Sequence, residues 1–186
     1  MHKQHFLFGI LNLMSLIYIT GVEGSGKSTV ANELTKLGYK AIDIDSSNLS
    51  KRYEKNSWDE TKSLPEPHES HLSWYQDREW KIRPVDILKI KQESTDRKVY
   101  LCGITENYAE IKQYFSKVFC LVLHKDGVLE RISSRVNNDF GKDPAQLEYI
   151  LAKHEQYETL LSNSGALMID ATNPLPQVVE EIIHRS

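Results

Sequence analysis

The chain has 186 residues and a formal net charge of −3, with 40% hydrophobic and 26% charged residues. This length and composition suit one globular domain with a sizeable core. The slight acidic excess argues against a general nucleic-acid binder, which normally carries excess basic charge. Both cysteines, Cys102 and Cys120, lie in apolar runs, which favours buried thiols in a cytoplasmic protein over a disulfide.

The N-terminal residues 1–13 combine a basic start with a short apolar run. That run is too short to span a bilayer, and no small-residue cleavage site follows it. It leads directly into the first predicted strand. We therefore interpret residues 1–13 as an extension, with Met14 as the natural start, and residues 14–186 as a single domain without membrane association.

Apolar runs and helical patterns alternate along the chain. Each apolar run has the length of a buried strand, and the first predicted helix, 29–37, ends before Gly38, a good C-cap. Asp143–Pro144 and Asn173–Pro174 each predict a helix start, with an N-cap followed by proline. This order predicts an α/β fold, a three-layer α/β/α sandwich with a five-stranded parallel sheet. The predicted strands are 16–19, 40–44, 99–102, 118–123 and 166–169.

An insertion of residues 47–94 separates the second and third predicted strands and holds all three tryptophans. Its irregular part, 56–69, precedes a polar and aromatic segment at 71–92. We predict that this segment is helical and interrupted at Pro84. Its position between strands predicts a helical, acceptor-binding insertion.

A glycine-rich loop follows the first predicted strand. Residues 21–28 read G-V-E-G-S-G-K-S and match the phosphate-loop pattern G-x-x-x-x-G-K-[S/T]. Its glycines let successive backbone N–H groups approach phosphate, helped by the N-terminus of the next helix. Lys27 would reach the β- and γ-phosphates, and the Ser28 hydroxyl would bind Mg²⁺. The motif therefore predicts binding of ATP, or a close relative, with Mg²⁺. The expected contacts are Gly21, Glu23, Gly24, Ser25, Gly26, Lys27, Ser28 and Thr29.

Two carboxylates, Asp43 and Asp45, follow at the end of the second predicted strand. Alternate residues of a strand share a face, and ligands of parallel sheets bind at this edge. We expect both to contact substrate. Asp45 is in addition expected to hold Mg²⁺ through water or to accept a proton from an acceptor hydroxyl. The alternative is a solvated strand end that caps a helix.

Two arginines, Arg131 and Arg135, are four residues apart and precede a polar loop. That spacing would place them on one helical face. Cations beside a closing loop could neutralise a transferring phosphoryl group, so we predict a lid at 135–143 and a catalytic role for Arg135. The alternative is a solvated helix face paired with Glu130 or Glu148.

The motifs that are missing narrow the class. No predicted strand after the loop ends in an aspartate of the Walker B type, and the guanine-reading N-K-x-D motif is absent. Both absences argue against signalling GTPases and motor ATPases. From residue 16 to 183 the chain instead resembles the small P-loop kinases, including nucleoside monophosphate kinases, shikimate kinase and gluconate kinase.

The resemblance implies roles for several residues. Asp43 and Asp45 match the D-x-D that contacts substrate and Mg²⁺ in shikimate kinases. Arg131 and Arg135 match the R-x-x-x-R of adenylate-kinase-like enzymes, which implies that Arg131 stacks on adenine and Arg135 contacts phosphates. The turn 171–174 would cradle the adenine edge, which adds Asn173 and Pro174 to the expected nucleotide contacts.

The acceptor side has weaker signals, because the glycine triplet of shikimate kinase is reduced to Gly103 and the D-G-[FY]-P-R motif is absent. Trp74 could stack on a base or sugar, and Arg78 could bind a phosphate or carboxylate. Gly103 and Asn107, just after the third predicted strand, complete the expected acceptor contacts. The alternative is that the tryptophans fill a satellite core. The insertion also contains His71, Tyr75, Trp80 and Arg83.

Together these features predict an ATP-dependent phosphotransferase. It would move the γ-phosphate of Mg-ATP to a small acceptor such as a nucleotide, a nucleoside or a hydroxy compound. The alternatives are a kinase acting on polynucleotide or RNA ends, or a nucleotide-binding regulator with weak ATPase activity. We expect a monomer or homodimer.

Overall fold

A computed structural model describes residues 15–61, 71–94, 98–136 and 139–186. The predicted N-terminal extension lies outside these residues, as do 62–70 of the insertion and 137–138 of the predicted lid. The strands are β1 (Ser15–Gly21), β2 (Lys40–Asp43), β3 (Ser50–Glu54), β4 (Arg78–Ile82), β5 (Lys98–Cys102), β6 (Lys117–Val122) and β7 (Leu167–Asp170). The α-helices are α1 (Lys27–Lys36), α2 (His71–Gln76), α3 (Pro84–Glu93), α4 (Tyr108–Ile111), α5 (Lys125–Ser134), α6 (Pro144–Asn163) and α7 (Leu175–Arg185). A 3₁₀ turn, Lys112–Tyr114, follows α4.

The main sheet has five parallel strands in the order β2-β5-β1-β6-β7, which confirms the predicted fold class. Side chains of β1 alternate between two buried clusters, as the pleat requires. Ile17 and Ile19 pack with residues of α1, α5 and α7 on one face. Leu16 and Tyr18 pack with residues of α3 and α4 and with Leu161 of α6 on the other. The result is the three-layer α/β/α arrangement.

Local signals predicted the end of α1 and the start of α6, while α1 begins two residues earlier than predicted. Gly38, with φ +85°, follows the C-cap of α1. Asp143 caps α6 by accepting hydrogen bonds from the backbone N–H groups of Ala145 and Gln146. The prediction for α7 was wrong by one residue: Pro174 occupies the N-cap, and the helix begins at Leu175. Both cysteines are free and buried.

The insertion differs from its helical prediction. Residues 78–82 form strand β4, which pairs antiparallel with β3 and places Trp80 opposite Arg52. The pairing joins segments that are more than twenty residues apart, so its hydrogen bonds leave no local sequence signal. The helices α2 and α3 flank β4, and Pro84 begins α3 rather than interrupting a helix.

Asn107 attaches the two-stranded β3–β4 sheet to the edge of the main sheet. Its Oδ1 accepts a hydrogen bond from Ile82 N (3.3 Å), and its Nδ2 donates to Ile82 O (3.0 Å). Asn107, predicted as an acceptor contact, therefore links β4 to the start of α4 through hydrogen bonds to backbone, and its side chain is buried away from solvent.

We expect Asn107→Ala to lower the free energy of unfolding by about 2 kcal/mol, because Ile82 would keep two buried backbone groups without partners. Urea denaturation checks this. Asn163→Ala, at an exposed position on α6, is the control and should change stability by less than about 0.5 kcal/mol. Equal stability of the two variants would contradict this role of Asn107.

Candidate active site

A cavity of about 710 Å³ opens at the carboxyl ends of the parallel strands. This is the edge where parallel α/β sheets bind ligands. The glycine-rich loop forms one side, and the insertion and α6 form the other. The polar lining residues include Glu23, Ser25, Lys27, Ser28, Thr29, Asp45, Arg52, Trp80, Glu106, Arg131, Arg135, Tyr149, Lys153 and Asn173.

The loop between β1 and α1 favours glycine for two reasons, close packing at Gly21 and a left-handed backbone at Gly26. A Cβ on Gly21, whose φ is +146°, would lie 2.5 Å from the carbonyl oxygen of Leu121 and 2.8 Å from Ser25 Oγ. Gly26, with φ +101°, is the N-cap of α1. Gly21 is not part of the cavity lining. The other predicted loop contacts, Glu23 to Thr29, all line the cavity.

Lys27 is 8% exposed, and its Nζ donates a hydrogen bond to Val22 O at 2.7 Å. Burial lowers the pKa of Lys27, and the nearby carboxylates of Glu23 and Asp45 partly oppose this effect. The ammonium group therefore lies inside the loop, beside the space where a phosphate would sit.

The loop and its surroundings fit a nucleotide with Mg²⁺. Ser25 belongs to the cavity lining, although its Oγ is buried on the side of Gly21 and has no hydrogen-bond partner among the described residues. The exposed Ser28 hydroxyl and the Asp45 carboxylate supply oxygen ligands of the kind that Mg²⁺ prefers.

Arg131 connects the loop to the turn after β7. Its Nη1 donates to Gly24 O (3.4 Å) and Ser25 O (3.3 Å), and its Nη2 donates to Ala171 O (2.6 Å). Of the two residues predicted in that turn, Asn173 lines the cavity and Pro174 does not.

Arg135 also lines the cavity, although not from the helical face that its spacing predicted. The helix α5 ends at Ser134, and Arg135 is its C-cap in an extended conformation (ψ 141°). Its Nη2 donates to Phe140 O within the predicted lid, and burial lowers the pKa of its guanidinium. Both arginines therefore line the cavity, Arg131 from α5 and Arg135 from the extended residue that follows it.

The two aspartates behave differently. Asp43 Oδ1 accepts hydrogen bonds from the backbone N–H groups of Asp45 (3.0 Å) and Ser46 (3.1 Å), and Asp43 does not line the cavity. Asp45 does line it. Burial raises the pKa of Asp45, while Lys27 and a hydrogen bond from Trp80 oppose the rise. The geometry therefore argues against a substrate contact by Asp43 and leaves Asp45 as the carboxylate at the site.

The remaining predicted acceptor contacts lie outside the cavity lining. Trp74 is buried in a small aromatic cluster with Tyr75 and Tyr149. Arg78 stacks on Trp74, with Cζ 4.5 Å from the ring centroid, and pairs with Glu54 at 3.2 Å. This is the satellite core that the sequence left open as the alternative. Gly103 is buried, and a Cβ there would come within 2.1 Å of Ile44, so its role is close packing beside Asp45.

The structure brings a charged cluster to the acceptor side that sequence reasoning missed. Glu106 accepts hydrogen bonds from Tyr149 Oη (2.6 Å), from Trp80 N (2.6 Å) and from Lys153 Nζ. Arg52 Nη1 lies 3.5 Å from Glu106 Oε2. Burial would raise the pKa of Glu106, but Lys153 and these hydrogen bonds outweigh it, and the pKa is lowered. Of these residues only Glu106, four positions after β5, had a sequence signal.

A scan against models of known protein families finds no match, and neither does a search of curated proteins. Solved structures do match in fold. Shikimate kinase from Acinetobacter baumannii, in complex with shikimate, has a TM-score of 0.60 at 16% identity, over 94% of this chain and 93% of that one. A sugar kinase from Janibacter sp. has a TM-score of 0.56 at 15% identity, over 92% and 93%. Deoxyadenosine kinase from M. mycoides with bound dATP has 0.50 at 17% identity, over 91% and 98%.

The parallel sheet and the glycine-rich loop after its central strand define a P-loop nucleotide-binding fold. The solved shikimate kinase, sugar kinase and deoxyadenosine kinase structures share this fold. No helix within the described ranges is long and apolar enough to cross a membrane.

We expect Glu106→Gln to reduce stability at pH 7 by about 1–2 kcal/mol, because the cations around it would lose their carboxylate. The folded-state pKa of Glu106 is lowered, so its contribution is complete above the unfolded value, about 4.3, and is lost as pH falls through the folded value. Urea denaturation should show a larger difference at pH 7 than near pH 3, because protonation of the carboxyl removes its contribution as pH falls. Glu180→Gln, at an exposed site on α7, is the control.

We expect Arg131→Ala to weaken ATP binding about tenfold or more, because its guanidinium holds the loop against the turn after β7. Isothermal titration calorimetry with Mg-ATP measures this. Arg83→Ala removes an exposed arginine paired with Asp86 outside the cavity and should leave the affinity unchanged. Similar affinities for both variants would show that Arg131 does not support the nucleotide site.

Proposed function

We propose that this protein is an ATP-dependent kinase that transfers the γ-phosphoryl group of Mg-ATP to a hydroxyl of a small-molecule acceptor. The observation that carries the proposal is the shared cavity: the glycine-rich loop, Asp45 and two arginines line one space with a separate polar acceptor side. A nucleotide-binding module alone would not need that second side. The fold of the small P-loop kinases supports the same conclusion.

The residues of the loop would bind and orient the triphosphate. Backbone N–H groups of the loop and the N-terminus of α1 favour phosphate oxygens. Mg²⁺, held by Ser28 and by Asp45 through water, would neutralise phosphate charge when bound. Lys27 would exchange its hydrogen bond to Val22 O for a phosphate oxygen, which requires only a short movement of Nζ. Arg135 would place a second cation from the lid side, where developing charge is stabilised.

Asp45 would act on the acceptor hydroxyl. Residues of the loop and of the insertion line the same cavity as Asp45, and burial raises the pKa of its carboxyl while Lys27 partly offsets the rise. An ionised carboxylate can orient a hydroxyl by accepting its hydrogen bond, and can receive the proton as the oxygen attacks phosphorus. Asp43 is not available for this role, since its Oδ1 already serves two backbone N–H groups.

The acceptor side suits a small polar molecule. Trp80 and Tyr149 provide aromatic surface, while Arg52, Lys153 and Glu106 provide charges of both signs. Arg52 Nη1 forms an ion pair with Glu106 Oε2 at 3.5 Å but makes no hydrogen bond with any of the described residues, so an oxygen-rich acceptor would supply one. We propose a hydroxyl-bearing nucleoside, nucleotide or hydroxy compound, in which this cluster binds the part of the acceptor remote from the reacting hydroxyl.

The test is incubation of the protein with Mg-ATP labelled at the γ-phosphate and a panel of nucleosides, nucleoside monophosphates, sugars and small hydroxy acids. Label on one acceptor would support the kinase and identify its substrate class. ATP binding without transfer to any panel member would contradict a small-molecule kinase. Transfer to an RNA end, tried next, would favour the polynucleotide kinase, and no transfer at all would favour the regulator.

We expect Asp45→Asn to reduce transfer by roughly a hundredfold or more, because a general base contributes on the order of 10²–10⁴ in rate. ATP affinity, measured by calorimetry, should change little. The matched control is Asp43→Asn, whose amide oxygen can still accept the two backbone hydrogen bonds and which should retain activity. Loss of activity in both variants, or in neither, would remove the role assigned to Asp45.

A further inference from the structure

The insertion reaches the proposed catalytic carboxylate directly. The indole Nε1 of Trp80 donates a hydrogen bond to Asp45 Oδ1 at 2.9 Å. An indole N–H is only a donor, so it cannot reverse this bond as an amide or hydroxyl could. The bond therefore fixes one oxygen of the carboxylate and, with it, the orientation of the carboxylate plane.

The main chain of Trp80 is itself held at the sheet edge. Its N–H donates to Glu106 Oε2 (2.6 Å), and its carbonyl accepts from Glu106 N (2.8 Å). A further bond to the same carbonyl comes from Thr105 Oγ1 (3.3 Å). Because residues after β5 form hydrogen bonds with both backbone groups of Trp80, the residue is fixed to the main sheet as well as to β3.

The ring of Trp80 is held as well. The guanidinium Cζ of Arg52 lies 5.3 Å from its centroid and 5.3 Å from the centroid of Tyr75. Arginine stacks favourably on aromatic faces at this distance. Rotation of the indole away from Asp45 would break this contact, so the donor has a strongly preferred position.

The second carboxylate oxygen of Asp45 remains available. Asp45 Oδ2 accepts no hydrogen bond from any of the described residues, whereas Oδ1 accepts one from Trp80. Oδ2 lies 3.5 Å from the point where a Cβ on Gly103 would sit, which is an ordinary van der Waals distance. One oxygen is held by the protein, and the other can receive an acceptor hydroxyl.

We propose that Trp80 is a positioning residue that clamps Oδ1 of Asp45 so that Oδ2 faces the acceptor hydroxyl. This inference rests on the proposed kinase function and adds that the insertion orients the reacting carboxylate besides enclosing the acceptor. Because misorientation affects the chemical step more than binding, the clamp contributes to kcat and little to KM.

The kinetic test compares Trp80→Phe, which keeps an aromatic ring and removes the donor, with Trp74→Phe, the same substitution outside the cavity. We expect Trp80→Phe to lower kcat about tenfold or more, with KM for ATP and acceptor changed less than about twofold. Trp74→Phe should stay within about twofold in both. In an Asp45→Asn background, Trp80→Phe should cause no further loss, since there is no carboxylate to orient. An unchanged kcat, or an equal loss in both backgrounds, would overturn the clamp.

A second measurement needs no acceptor and so separates this inference from the proposed function. The three tryptophans give three indole N–H signals in a ¹H–¹⁵N spectrum, and Trp80→Phe identifies one of them. Asp45→Asn should move the Trp80 signal and leave those of Trp58 and Trp74 in place. An unmoved signal would overturn the clamp even if transfer is found. A moved signal with no transfer to any acceptor would support the clamp and count against the kinase.

Discussion

The position of β1 at the centre of a parallel sheet is the constraint on which the site depends. The strand β1 lies between β5 and β6. From β1 the chain crosses to β2 on one side of the sheet, and from β5 it crosses to β6 on the other side. Parallel strands all end at one edge, so the loop after β1, Asp45 after β2 and the segment after β5 necessarily meet there. Close packing of Gly21 on the carbonyl oxygen of Leu121 then fixes the height of the loop above the sheet. The loop and Asp45 both reach the cavity from that edge.

The two halves of the cavity differ in how they are built. The nucleotide half is made largely of backbone and of residues near the loop in sequence, with Arg131 joining it to the turn after β7. The acceptor half is made of side chains from β3, β4 and α6 and from the segment after β5, which Glu106 connects. A backbone cradle suits a ligand that all relatives of a fold share. A side-chain network can change by substitution, so it suits the part of a site that sets specificity.

The sequence predicted what local chemistry decides. The five strands, the glycine-rich loop and the cap at Asp143 rest on short-range periodicity, backbone freedom and side-chain capping, and the structure confirms each of them. The β3–β4 pair was missed because it joins distant segments, and Arg52 was missed because that pairing places it opposite Trp80. Tyr149 was missed because it reaches the cavity from α6, which is distant in sequence from the other lining residues. Asp43 agrees better with the capping alternative, because an aspartate before two free N–H groups tends to accept hydrogen bonds from them.

The aromatic cluster of Trp74, Tyr75 and Tyr149, with Phe140 packed against it, joins the insertion to the lid and α6. Rings of Tyr75 and Phe140 meet edge to face at 5.6 Å, and Gln146 Nε2 donates to Tyr75 Oη at 3.1 Å. These regions are far apart in the chain but share one packed interface. A protein that acquired a different insertion alone would keep the rings of Phe140 and Tyr149 without the insertion rings that they now pack against. The packing of Tyr75 against Phe140 and Tyr149 therefore couples a change in the insertion to residues 139–143 and to α6.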